Sequence, residues 1–149
     1  MGFGAFRQPA SSWVPIYGPI WAESEMSGQT PRKTVGIVDD DPEMRTGIQR
    51  LLNAHGFATR VYESGEGFLD LDAASEVDCL LLDIHLGGMS GIELRRALKA
   101  SGSTLPIIFM TAFDDEATRK EATEAGCVAY LRKPFEGKLL VAALAKAAR

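Results

Sequence analysis

Short apolar runs and longer segments of helical spacing alternate along this chain from residue 34 onward. Five runs have strand length: Thr34 to Val38, Phe57 to Tyr62, Cys79 to Leu82, Leu105 to Met110 and Cys127 to Leu131. They are nearly continuous in apolar residues rather than alternating, the pattern of strands covered on both faces. Between them lie the helical patterns. Pro42 to Ala54 carries an inward stripe of Met44, Ile48, Leu51 and Leu52. Pro42 suits its first position, where a missing amide hydrogen costs nothing, and Gly56 closes it. A short helix after Ser64 turns Phe68, Leu69 and Leu71 inward, and a third runs from Ile92 to Ala100. Asp114 or Asp115 caps a fourth, Glu116 to Ala125, and a fifth spans Phe135 to Ala148 with Leu139, Leu140, Ala143, Leu144 and Ala147 on its core face.

Five strands alternating with five helices, each unit long enough for a right-handed crossover, predict an α/β fold with a doubly wound five-stranded parallel sheet. All strands of such a sheet point their carboxyl ends to one edge, where ligands bind. That edge gathers Asp39 and Asp40 from the first strand, Asp83 from the third, Thr111 from the fourth and Lys133 from the fifth.

Residues 1–32 read differently. Pro9, Pro15, Pro19 and Pro31 block regular structure, and both tryptophans, Trp13 and Trp21, lie here. The segment reads as an N-terminal arm, disordered or extended or else docked on a partner, ahead of a single domain at 33–149. The 149 residues are enough for a core without staples, and the formal charge of -4 speaks against a nucleic-acid or acidic-membrane binder. Cys79 and Cys127 have no metal-type spacing and read as small buried hydrophobes. No apolar run is long enough to span a bilayer and no secretory leader precedes the domain, so the expected location is cytoplasmic.

Three carboxylates at one edge repel unless a cation compensates them. Oxygen-only ligands with room for water and phosphate oxygens suit Mg2+ or Mn2+. Lys133 can neutralise a phosphate oxygen and the Thr111 hydroxyl can donate to another, so the set predicts phosphoryl transfer onto Asp83. A nucleotide or flavin carrier would need a Gly/Ser-rich phosphate loop in place of Asp39-Asp40-Asp41. An aspartyl-phosphate hydrolase would place its nucleophile on strand one.

Four motifs in order, Val38-Asp39-Asp40-Asp41 with Arg45, Leu82-Asp83 with Met89-Ser90-Gly91, Met110-Thr111-Ala112, and Tyr130-Leu131-Arg132-Lys133-Pro134-Phe135, resemble the receiver domain of two-component response regulators. The resemblance implies the flavodoxin-like strand order 2-1-3-4-5. It implies that Asp83 is the phosphoacceptor, and that Asp39, Asp40, Asp83 and the backbone carbonyl of His85 hold Mg2+. Thr111 and Tyr130 become the switch residues and Lys133 a catalytic partner preceding a cis proline. It further implies a histidine kinase or histidine phosphotransfer protein as donor and a downstream protein partner on the face of helix four, strand five and helix five. A phosphorylation-dependent homodimer is a further expectation, with no enzyme activity beyond Asp83's own phosphorylation and dephosphorylation. The second reading is the receiver part of a DNA-binding transcriptional regulator. One departure stands out: Gly87, followed by Gly88, occupies the place where receivers usually carry proline, which predicts a looser loop. Asp41 reads as a solvent-facing helix-start acid, Arg45 as a surface helix residue, His55 as a helix-end dipole partner, and the His85 side chain as facing solvent or tuning water access.

Overall fold

The computed structural model describes residues 32–147. The expected N-terminal arm up to Pro31, and Ala148 of the last helix, lie outside them. Five strands form one parallel sheet: β1 Thr34–Val38, β2 Ala58–Tyr62, β3 Cys79–Asp83, β4 Ile107–Thr111 and β5 Ala129–Arg132, in the order β2-β1-β3-β4-β5. Helices α1 Pro42–Ala54, α2 Gly65–Asp70, α3 Gly91–Ala100, α4 Glu116–Ala125 and α5 Gly137–Ala147 make the crossovers. The predicted fold class, topology and helix count are those observed.

The sheet separates two apolar layers, and the period of two along each strand assigns residues between them. Leu80, Leu82, Ile107 and Phe109 face one layer with Phe68 of α2, Leu94 and Leu98 of α3 and Ala122 of α4. Cys79, Leu81, Ile108 and Met110 face the other with Ile48 and Leu52 of α1 and Leu140 and Leu144 of α5. This is why β3 and β4 read as unbroken apolar runs: every residue of both is buried.

Local chemistry sets the helix starts. Asp41, Ser64 and Asp115 each accept an amide hydrogen of the following turn, and Ser90 forms a reciprocal capping box with Glu93. Of the two candidate caps for α4, Asp115 holds the position. Three strands begin later than the apolar runs suggest, since Phe57, Leu105-Pro106 and Cys127-Val128 precede the ladder. Two leucines point outward. Leu71 is 66% exposed because α2 ends at Asp70, one residue too early to turn it inward. Leu139 is 49% exposed because the stripe of α5 is Leu140, Ala143, Leu144 and Ala147, and Leu139 lies a step off that spacing. A short 3-10 turn, Ala73–Glu76, carries the chain from α2 toward β3 and has no periodic signature.

At the join of β3 and α3, the Gly91 amide donates to the Ile84 carbonyl at 2.9 Å, and a Cβ at residue 91 would overlap the Asp83 carbonyl oxygen. Gly47, inside α1, has open space around the same position. Urea unfolding of two variants should therefore give opposite signs. Gly91→Ala should lose roughly 1–3 kcal/mol or more through backbone overlap. Gly47→Ala should gain about 0.5–1 kcal/mol from reduced chain entropy. Equal effects would contradict this packing.

Candidate functional site

The carboxyl edge of the sheet brings the predicted residues together because each follows directly from a strand end. Asp39 and Asp40 succeed β1, Asp83 ends β3, Thr111 ends β4 and Lys133 succeeds β5. Asp39, Thr111 and Asp83 are buried, whereas Asp40 is exposed. Oxygens of Asp39, Asp40 and Asp83 lie within 4.8 Å of one another, a donor set of oxygen alone that suits a hard divalent ion.

Lys133 ties the edge together. Its Nζ donates to Asp39 Oδ2 at 2.8 Å and to Asp83 Oδ2 at 3.1 Å. The position of Lys133 is fixed by its own amide, which donates to the Thr111 carbonyl at 2.7 Å, and its bond to Pro134 is cis. The remaining Asp39 oxygen accepts the Asp41 amide at 2.9 Å, and Asp83 Oδ1 accepts the His85 amide at 3.1 Å. Burial lifts the Asp83 carboxyl above the usual range; the Lys133 charge pulls against that shift and Asp39 adds to it. Burial alone would depress Lys133, but the hydrogen bond to Asp39 and the charge of Asp83 outweigh it, and its pKa is raised. The asymmetry follows from sharing: one ammonium serves two buried carboxylates.

Thr111 and Tyr130 are both near this edge, in different settings. The Thr111 hydroxyl accepts the Phe113 amide at 3.0 Å and pairs with His85 Nδ1 at 3.0 Å. The His85 side chain, expected to face solvent or tune water access, is exposed yet anchored: besides that bond, its ring meets Phe113 edge-on at 5.1 Å. Tyr130 is half-buried; its hydroxyl donates to Asp114 at 3.1 Å, and Arg119, itself bonded to Asp114, lies over its ring at 5.4 Å. Burial and then the Asp114 bond push the tyrosine hydroxyl up to about 12. The Arg119 hydrogen bond is the main cause holding Asp114 below the usual carboxylate range.

Arg45 is not a plain surface residue. One of its guanidinium nitrogens donates to the Asp39 carbonyl at 2.7 Å, six residues back across the start of α1. Helix spacing alone places it only near the site. Asp41 is the helix-start acid expected, and His55 Nδ1 lies 2.9 Å from the Leu51 carbonyl at the end of α1. The Gly87-Gly88 loop has more ties than its glycines suggest. The Gly87 amide reaches Asp40 Oδ2 at 3.4 Å, and Glu66 of α2 accepts the Met89 amide at 2.8 Å. Gly88 has φ +83, where glycine is favoured; Gly87 does not.

Comparison with known proteins places this arrangement. The model of the response regulator receiver domain matches residues 35–145. The transcriptional regulatory protein FixJ of Bradyrhizobium diazoefficiens is 34% identical over 120 residues, which cover 80% of this chain and 58% of that protein. The transcriptional regulatory protein TdiR of Thauera aromatica is 35% identical over 111 residues, covering 74% of this chain and 49% of that one. The chain thus matches about half the length of these relatives. The crystal structure of FixJ-N superposes with a TM-score of 0.72 at 34% identity, covering 80% of this chain and 95% of that one. With sequence, strand order and structural likeness agreeing over the same residues, the chain belongs to the response regulator receiver domain family.

Proposed function

We propose that Asp83 accepts a phosphoryl group from a phosphohistidine of a histidine kinase or histidine phosphotransfer protein. The observation that carries this reading is the Lys133 ammonium shared between Asp39 and Asp83 beside a third carboxylate, Asp40. Such an edge supplies a nucleophile, a fixed positive charge and an oxygen cluster for a divalent ion. Asp39, Asp40, Asp83 and the His85 backbone carbonyl would hold Mg2+, or Mn2+, which when bound would screen the carboxylates and the incoming phosphoryl oxygens.

In the transfer, a carboxylate oxygen of Asp83 forms the new bond to phosphorus as the phosphorus–nitrogen bond of the donor breaks, and its electron pair returns to the imidazole. Lys133 neutralises charge on the phosphoryl oxygens. The Thr111 hydroxyl donates to another of these oxygens, and Tyr130 responds by leaving Asp114 and turning inward. That rearrangement alters the face formed by α4, β5 and α5 for a downstream protein or a second copy of the chain. The chemistry is confined to Asp83's own phosphorylation and dephosphorylation, in the cytoplasm. Among the described residues no helix is long and apolar enough to cross a membrane.

A second reading makes this chain the receiver part of a transcriptional regulator, favoured by FixJ and TdiR, transcriptional regulatory proteins of about twice the matched length. The length of the coding sequence at the native locus separates the two.

With Mg2+ and a small phosphodonor, the protein should gain one acid-stable, base-labile phosphoryl group by mass spectrometry, and Asp83→Asn should gain none. Modification that survives that substitution places the acceptor elsewhere. Divalent ion should also stabilise the fold by mass action, about 2.7 kcal/mol at a hundredfold excess over Kd. Asp39→Asn should lose most of that increment in thermal melts.

In chelator, Asp83→Asn should be more stable than the parent at pH 7, because a carboxyl with a raised folded-state pKa is penalised once ionised. The sign follows from proton uptake. The folded state holds the Asp83 proton to higher pH than the unfolded chain, so the penalty grows as pH rises through that window and vanishes below the unfolded value. The gain of the variant should therefore shrink as pH falls toward about 3.8. A gain independent of pH in urea titrations would refute the electrostatic origin.

A further inference from the structure

We infer that the His85 imidazole is a positioning residue that holds the Thr111 hydroxyl in reserve and so opposes its engagement with a phosphoryl group on Asp83. The inference rests on the phosphoacceptor reading above and adds a restraint to it.

The hydroxyl of Thr111 has two partners, the Phe113 amide and His85 Nδ1, each at 3.0 Å, and neither belongs to the Asp39–Asp83–Lys133 cluster. A hydroxyl offers one hydrogen and two lone pairs, and threonine rotamers are separated by about 120°. With Nδ1 as the acceptor of that one hydrogen, giving it to a phosphoryl oxygen breaks the contact with Nδ1. The imidazole is itself braced. The His85 amide is fixed on Asp83 Oδ1 at 3.1 Å, and the ring meets Phe113 edge-on at 5.1 Å with an interplanar angle of 74°. Phe113 is 65% exposed, and the His85 ring packs against it. His85, Thr111 and Phe113 form a latch joining the loop after β3 to the loop after β4. Binding that requires an open latch is weakened by the cost of opening it.

The test uses the full chain with Mg2+ and beryllofluoride as phosphoryl analogue, its affinity measured by calorimetry. Losing one hydrogen bond of the latch should make His85→Ala bind the analogue about three- to tenfold more tightly. His85→Phe keeps a ring against Phe113 and removes the nitrogen, so it should behave as His85→Ala. In a Thr111→Ala background, His85→Ala should have no effect. Unchanged or weaker analogue binding by His85→Ala overturns the latch, as does an effect that persists without the Thr111 hydroxyl. So does parental behaviour of His85→Phe, which would assign the restraint to ring packing. Failure of the parent protein to bind beryllofluoride at all would overturn the phosphoacceptor reading, and this inference with it.

Discussion

One shared cation governs this structure. The Lys133 ammonium bridges carboxylates that lie 94 and 50 residues away in sequence, across four and two crossovers respectively. Two of the groups it joins are buried, and burying a carboxylate without a partner costs several kcal/mol. The parallel sheet makes the pairing possible, since strand ends from distant segments meet at one edge only when all strands run the same way. The right-handed crossovers and the helix caps at Asp41, Ser64, Ser90 and Asp115 serve to deliver those ends in register.

The same edge conflicts with the rest of the fold. Two apolar layers meet at the central strands β3 and β4, which have no polar residue before their last position, and the polar groups then arrive together, at Asp39, Asp83 and Thr111. Their charges are satisfied incompletely: three carboxylates face one ammonium. A stable fold that keeps such a cluster gives up stability locally for chemistry, a pattern expected at functional sites.

Much of this was legible in the residues. The apolar runs and their helical intervals determine the topology, and carboxylates, threonine and lysine at the strand ends locate the site. What was not legible depends on side-chain reach. Arg45 folds back over six residues to the Asp39 carbonyl, and nothing in helix periodicity announces that direction. The anchoring of His85 requires two loops to converge, and its sequence neighbours name only one of them. Leu71 and Leu139 misled because a short helix or a one-residue phase error reverses a side chain's face. The loop at Gly87-Gly88 looked loose from composition, yet Glu66 and Asp40, from other elements, tether it.

The nine residues from Asp83 to Gly91 divide into positions with very different freedom. Gly91 cannot accept a side chain without colliding with the backbone of Asp83. His85 and Gly87 are exposed, and Gly87 has open space where a side chain would begin. A larger residue at Gly87 therefore meets no steric barrier, while the turn at Gly91 stays closed to one.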